Sequence, residues 1–443
     1  MGTPASATAP RRAGSGLDRT PGRRALGLIG LAGLAAASVG LAAPGPELVP
    51  SAVNGGPGWL LGLYGDGLGV SPEPYYALLW LAFASHLCVF LAAPALDHRL
   101  IRVAAALLVV AFALAPPLLS QDVFSYIAYA RLGADAGLSP YDHTPLDLPL
   151  DPVFPHVGWS ESSSAYGPLF TLATYPLAAL SVPAALWTLK AAAAASVLAL
   201  AALVARLSPP RGIDPRRGFV MVALNPLVLV HVVGGAHNDG VTMLLALAGC
   251  AAVLTLCEAS GGAAIAAAVG MKLSATFVAP FALLGSMPTG RKPAISSGFR
   301  PVGRFVVGAA AALAAIAVAT LVAFGPSVLG SAQLVGENQG RVSNYSLPNL
   351  LSELANIDVD VVRAISAAGY LALLAALLLW VRGGADWIRA AGGAALGLLL
   401  ASAWLLPWYV IWALPLAALS RDERLVAAVL ALTGLQLAAR IPL

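Results

Sequence analysis

The sequence predicts an all-α polytopic membrane protein, and three observations carry that. Of 443 residues, 59% are hydrophobic and only 10% charged, where soluble domains carry about 25% charged residues. Apolar runs near the roughly 20 residues that a spanning helix needs recur along the chain, and the mean hydropathy is +0.82. The charged residues are sorted between loops rather than scattered. The net charge of +4 is small, and no basic patch interleaves with aromatics, so no nucleic-acid partner is expected. Cys88, Cys250 and Cys257 lie in apolar runs with no CxxC or Cys/His cluster, which disfavours a disulfide framework or a zinc site.

Taken in order, residues 1–25 are rich in Pro, Ala, Ser, Gly and Arg and predict a disordered cytoplasmic tail. Residues 26–443 predict a single transmembrane domain. The run Ala25 to Ala43 also ends in small residues like a cleaved signal peptide, but the charge pattern needs it as a first span. Helices are predicted at about 26–43, 75–96, 101–119, 184–205, 218–235, 240–257, 305–324, 361–381, 388–406, 408–420 and 424–440. With re-entrant pieces the bundle would hold about 11–13 transmembrane helices.

The loops alternate in charge. Arg99, Arg206, Arg217, Arg304, Arg389 and Arg421 mark loops on the side of the N-terminal arginines, which the positive-inside rule makes cytoplasmic. The opposite side carries the acidic residues, most of them in two long outer segments, 120–183 and 325–360. These predict a plasma-membrane protein with a cytoplasmic N-terminus and a cap over an outward cavity. Parity makes 262–286 a hairpin that enters and leaves on one side, with Lys272 near its tip; one long span is the alternative. Gly167 to Ser181 is short, contains Pro168 and Pro176, and predicts an interfacial or re-entrant helix.

Five features can carry chemistry. Asp122, Tyr126, Tyr129 and Arg131 recur at helical spacing where the third span reaches the outer surface. A carboxylate there is partly desolvated and can act as a base, or it simply caps the helix or pairs with Arg131. Asn225-Pro226 leads to Gly234-Gly235-Ala236-His237-Asn238-Asp239, which places three polar side chains at a span end. Lys272 is an ionisable residue inside a membrane segment, a functional site by default unless it snorkels or pairs with a buried carboxylate; Lys190 is a weaker case, placed to snorkel near the outer interface. The outer stretch Glu337 to Asn349 holds Arg341 and Asn344, groups suited to phosphate and sugar hydroxyls. Tyr166, Trp408 and Tyr409 either anchor helices at the interface or stack on sugars. No P-loop or GxGxxG element and no cytoplasmic nucleotide domain is present, so a transferase of this design would take its donor from the membrane.

These residues together resemble the GT-C class of polyprenyl-phosphate-sugar glycosyltransferases, most closely the actinobacterial α-1,6-mannosyltransferases of lipomannan synthesis. The resemblance rests on Gln121-Asp122-Val123-Phe124-Ser125-Tyr126, Ser139-Pro140-Tyr141, Tyr166-Gly167-Pro168-Leu169, the Gly234 to Asp239 stretch, Lys272 before Pro280, and Pro407-Trp408-Tyr409. It runs from about 100 to 420. The resemblance implies a GT-C-like bundle with short re-entrant helices and an inverting transfer of mannose from a polyprenyl-phosphate donor to a mannan or glycolipid acceptor on the outer face, with α-1,6 linkage. It implies Asp122 as the catalytic base, and Tyr126, Arg131, Tyr166, His237, Asn238, Asp239, Lys272, Arg341, Asn344, Trp408 and Tyr409 as substrate-binding residues. In this reading His237, Lys272 and Arg341 stabilise the leaving phosphate. The chain departs from the pattern in lacking a second acidic residue beside Asp122 and a soluble C-terminal domain, which disfavours a metal requirement; no cofactor is implied. Transfer of another lipid-linked sugar such as arabinofuranose, or transport of a lipid or sugar, are the alternatives.

Overall fold

The computed structural model describes residues 20–50, 57–64, 68–287, 301–330, 336 and 340–439. Among these the regular structure is helical. The first helix, α1 (Thr20–Ala42), begins within the stretch expected as tail, and the remainder of that tail lies outside the described residues. It pairs with α2 (Pro72–Ala92), and α3 (His98–Leu114) runs back along the bundle behind Asp97, whose carboxylate caps the Arg99 and Leu100 amides. The segment 120–183 holds α4 (Asp122–Ala134) and the short α5 (Pro168–Thr174). Next come α6 (Val182–Leu207) and α7 (Pro215–Ala223).

The segment expected as one straight span at 218–235 is broken. Pro226 has no amide hydrogen and pushes Asn225 out of helical geometry. A π-helix, Val228–Gly234, follows at a bend of 58° to α7. The Asn225 side chain accepts the Leu227 amide at 3.0 Å and starts the second half. After the turn come α8 (Asp239–Leu254), α9 (Glu258–Met271) and α10 (Ala279–Ser286). Lys272 is fully extended (φ −158°, ψ 122°) between α9 and a 3-10 turn at Leu273–Val278, so the hairpin does have two halves that meet at this lysine. The end of α11 (Pro301–Phe324) leads to the second long segment, 325–360, with α12 (Leu347–Ala355). α13 (Val359–Arg382), α14 (Trp387–Ala401), a 3-10 stretch at Pro407–Trp412 with α15 (Leu414–Ala418), and α16 (Glu423–Leu437) complete the chain.

Among the described residues five helices are long and apolar enough to cross a membrane, six if the bent pair counts as one span. The remaining expected spans are shorter or interrupted. Asp239–Leu254, Leu273–Ser286, Trp387–Ala401 and Pro407–Ala418 are apolar but under full length. Apolar composition alone does not separate a full span from a half-helix buried by its neighbours. Small residues hold α9 to α11: a Cβ on Gly308 would overlap the Ala259 carbonyl, and one on Gly262 the Phe305 carbonyl.

The ion pairs divide the bundle into two ends. At one end Arg211 bonds Asp386, Arg217 bonds Glu423 at 2.5 Å, Arg389 bonds Asp422 at 2.5 Å, and Arg216 reaches the Leu96 carbonyl at 3.1 Å. These residues come from the loops that the charge pattern groups together. The other end gathers Asp122, Asp239, Lys272, Arg341 and a set of tryptophans. Cys257, although it follows an apolar run, is exposed between α8 and α9.

Candidate active site

The site begins with the proline pair Pro116-Pro117, which ends α3 and sends the chain across the bundle mouth. Leu119 then turns through a left-handed conformation (φ 56°), and Ser120 Oγ accepts the Asp122 amide at 3.2 Å. Asp122 is thereby fixed at the first turn of α4, where the helix dipole favours a negative charge. Residues 123–130 behind it are all buried, so α4 is anchored by its apolar side chains and presents Asp122 at its end.

The Asp122 carboxylate is 15% exposed. Trp159 Nε1 donates to Oδ1 at 3.2 Å, and Nε2 of His237 stands 3.7 Å from Oδ2. Burial pushes the Asp122 carboxyl above its ordinary range; Lys272 and the Trp159 hydrogen bond pull it back only in part, and Asp239 adds to the rise. His237 is neutral: burial lowers its basicity, against the backbone hydrogen bond to His231 that favours its proton. Nδ1 of His237 lies 2.7 Å from the His231 carbonyl, an acceptor only, so Nδ1 carries the hydrogen. Nε2 is then a bare acceptor aimed at Asp122. Two acceptors face one another across 3.7 Å, beyond hydrogen-bond reach, and Nε2 has no donor among the described residues. In this tautomer Nε2 cannot donate to a phosphate.

A second carboxylate is already satisfied. Asp239, fully buried at the start of α8, accepts Lys272 Nζ at 2.8 and 2.9 Å and Trp412 Nε1 at 2.6 Å. Lys272 also lies 4.6 Å above the Tyr409 ring, and Tyr409 stacks on Trp412 at 4.4 Å. Trp408 stacks on His237 at 3.7 Å. Gly167 carries α5 tightly against the α9 end, where a side chain would collide with the Gly270 and Met271 carbonyls, and this holds Tyr166 beside the Lys272 break.

Arg341 comes from the second outer segment. Its guanidinium lies 4.6 Å from the Trp159 ring and 6.0 Å from that of Trp404, and no carboxylate pairs with it among the described residues. Ser343 stitches this strand of chain down: its amide donates to the Ala403 carbonyl at 2.9 Å and its hydroxyl to that of Leu405 at 2.8 Å. Glu337 lies outside the described residues.

Two cavities meet at Asp122. One, of about 150 Å³, is lined by Tyr166, Lys272, Arg341, Tyr409 and Trp412. The other, of about 320 Å³, is lined by Gln121, Ser343, Asn344 and Tyr345. Asp122, Trp159, Trp404 and Trp408 line both.

The structure thus brings Asp122, Tyr166, Lys272, Arg341, Asn344, Trp408 and Tyr409 to the cavity walls, with His237 and Asp239 directly behind. Arg131 is elsewhere: it pairs with Asp151 at 3.2 Å and bonds the Leu180 carbonyl at 2.7 Å, fastening α4 to its own loop. Tyr126 is buried edge-on against Tyr166 and Phe170, and Asn238 is buried with no side-chain hydrogen bond among the described residues. Sequence reasoning missed Trp159, Trp404 and Trp412. Trp412 had a signal, the Trp408-Tyr409-Trp412 spacing of a single helical face. Trp159 had none, since its role arises from a loop folding back over α4. Among the described residues no three His, Cys, Asp or Glu side chains converge as a metal site would require.

Residues 24–288 match the family model described as the N-terminal domain of alpha-(1->6)-mannopyranosyltransferase, a span that holds Asp122, His237, Asp239 and Lys272. The chain is 29% identical over 72% of its length to alpha-(1->6)-mannopyranosyltransferase A of Mycobacterium tuberculosis, covering 65% of that relative. It is 27% identical over 43% of its length to alpha-(1->6)-mannopyranosyltransferase A of Corynebacterium glutamicum, covering 39% of it. A second alpha-(1->6)-mannopyranosyltransferase of M. tuberculosis is 33% identical over 31% of the chain and 24% of the relative. The chain therefore spans less than two thirds of the length of these curated relatives. No solved structure matches it.

Proposed function

The chain belongs to the alpha-(1->6)-mannopyranosyltransferase family, and from that premise we propose that it is a membrane-embedded, inverting mannosyltransferase using a polyprenyl-phosphate mannose donor. The observation that carries the reading is the position of Asp122 on the wall between two cavities of different chemistry. The cavity with Lys272 and Arg341 takes the phosphate and its mannose; since Asp239 neutralises Lys272, Arg341 supplies the uncompensated positive charge. The cavity with Gln121, Ser343, Asn344 and Tyr345 offers amide and hydroxyl groups and indole faces to the acceptor sugar. Asp122 then stands beside the acceptor hydroxyl where the two cavities meet, leaving that hydroxyl free to face the donor's anomeric carbon.

In the transfer the acceptor oxygen bonds to that carbon while its proton passes to Asp122. The bond from the carbon to the phosphate oxygen breaks on the far face, and the lipid phosphate leaves with the electron pair. Inversion follows from this single displacement. Arg341 stabilises the charge that develops on the leaving phosphate. His237, stacked on Trp408 behind the cavity wall, backs the Asp122 carboxylate and helps fix its position. No step requires a metal or a cofactor. The acceptor is a mannan or glycolipid, and the site faces outward from the plasma membrane with the N-terminus in the cytoplasm.

Incubating purified protein with radiolabelled polyprenyl-phosphate mannose and an α-mannan acceptor tests the donor. Label should enter product cleavable by an α-1,6-specific mannosidase, and no product should form from GDP-mannose in the absence of lipid carrier. Direct transfer from GDP-mannose would overturn the reading. The same assay with Arg341→Lys tests the phosphate contact. Lysine keeps the charge but loses the planar fork that stacks on Trp159, and donor KM is expected to rise about tenfold, the effect of roughly 1.4 kcal/mol. An unchanged KM would place the phosphate elsewhere. For topology, cysteine introduced at exposed Glu161 in a cysteine-free background should be labelled by an impermeant reagent on intact cells, and cysteine at exposed Pro210 should not.

A further inference from the structure

Lys190 lies nine residues into α6, about 12 Å from its outer end, and does not snorkel: it is fully buried. No carboxylate lies within ion-pair reach of it among the described residues. Its ammonium instead donates to two backbone carbonyls, Pro116 at 3.1 Å and Gly234 at 2.6 Å. Those carbonyls belong to the two segments that build the site. Pro116 opens the stretch that ends at Asp122, and Gly234 opens the turn that carries His237 and Asp239. The segments also touch directly, through the Leu118 amide to the Gly234 carbonyl at 3.2 Å.

Each segment contains a non-glycine residue in left-handed backbone just beyond its Lys190 contact: Leu119 (φ 56°) before Asp122, and Ala236 (φ 57°) before His237. This conformation is unfavourable for L-residues and persists where the surroundings over-determine it. A buried cation is likewise retained only where its donors are taken up. The two costs are met at one point, since the same ammonium fixes both strained segments.

We propose that Lys190 is a positioning residue: it clamps the 116–122 and 234–239 segments in the register that sets His237 Nε2 opposite the Asp122 carboxylate. This rests on the reading of Asp122 as the base. Lys190 touches neither cavity, so it acts on the alignment of the reacting groups and leaves the Arg341 side of the donor pocket alone.

Lys190→Gln keeps an amide donor and Lys190→Met removes both donors at similar length. Each is compared with wild type for thermal stability in detergent, donor KM, kcat and the pH profile of kcat. Expected are a donor KM within about threefold of wild type and a kcat loss on the order of 10²-fold in Lys190→Met, the cost of an ångström-scale misplacement. The acid limb of the pH profile should move as well, because the burial that raises the Asp122 carboxyl depends on where the 116–122 segment sits. Adding Ala236→Gly to Lys190→Met relaxes the left-handed strain; it should recover stability and leave kcat low, and it supplies a folded protein should the single variant be too unstable to assay. Wild-type turnover in folded Lys190→Met or Lys190→Gln, or joint recovery of stability and turnover in the double variant, overturns the proposal. An active Asp122→Asn protein would instead remove the base reading itself, whatever Lys190 does.

Discussion

Asp122→Asn is expected to lower kcat by about 10²–10⁴-fold, the usual contribution of a positioned general base, with donor KM nearly unchanged. Asparagine keeps the shape and can still accept the Trp159 indole hydrogen, so the loop that folds over α4 stays in place. What is lost is the ability to take the acceptor's proton. The stability change has a definite sign. A carboxyl raised above its unfolded value by burial holds its proton more tightly when folded. Its favourable contribution is therefore complete below the unfolded pKa and is lost as pH rises through the folded one. At neutral pH the ionised Asp122 is a cost to folding, and Asp122→Asn should be as stable as wild type or more so. Activity moves oppositely, since the base works only when ionised; in wild type kcat should fall on acidification at a pH above the ordinary carboxylate range. Thermal unfolding and turnover measured on one preparation separate this from a purely structural role, in which loss of a helix-terminal carboxylate would cost about 1 kcal/mol of stability and little rate. Near-wild-type turnover in stable Asp122→Asn protein would end the assignment. Asp239 is a poor substitute as base, because Lys272 and Trp412 already occupy its oxygens.

The pattern of what the sequence could and could not reveal is physical. Charge sorting was legible because the membrane imposes it on every loop: arginines assigned to one side from sequence meet their carboxylate partners at one end of the bundle. The break at Lys272 was legible because a charge and a proline eight residues apart interrupt an apolar run. The kink at Asn225-Pro226 carried the same signal, yet the surrounding hydrophobicity suggested one straight helix, since hydropathy windows do not register a missing amide hydrogen. The site was legible where several polar residues adjoin, as in His237-Asn238-Asp239. It was not legible where function depends on a partner distant in sequence. Arg131 shares a helix with Asp122 but faces Asp151, and Trp159 bonds Asp122 from a loop whose course no local pattern encodes. Helical spacing places side chains on a face without showing which neighbour that face meets.

Lys272→Met is expected to produce the largest loss of stability of any single change at the site. Asp239 is fully buried and accepts three close contacts from two donors, two from the Lys272 ammonium and one from Trp412. Methionine fills the space of the lysine stem and can rest on Tyr409, so little packing is lost. The carboxylate is left with one neutral donor in a site that water barely reaches. Removing one partner of a buried pair typically costs about 3–5 kcal/mol because the other charge is stranded, and the 16% exposure of the Lys272 side chain puts the expected loss toward the lower end. Asp239→Asn should cost less, since an unpaired Lys272 still has the Tyr409 and Trp412 rings and the cavity mouth. The decisive comparison is the double variant. Lys272→Met with Asp239→Asn carries no stranded charge and should recover most of the loss, so the two single effects will not add. Unfolding of all four proteins in the same detergent measures this coupling. A Lys272→Met protein as stable as wild type, or strictly additive changes, would mean that the pair does not hold the hairpin tip to α8. The double variant also separates structure from chemistry at this lysine: it should be folded and still bind donor through Arg341, with a higher KM to the extent that Lys272 shares its charge between Asp239 and the phosphate.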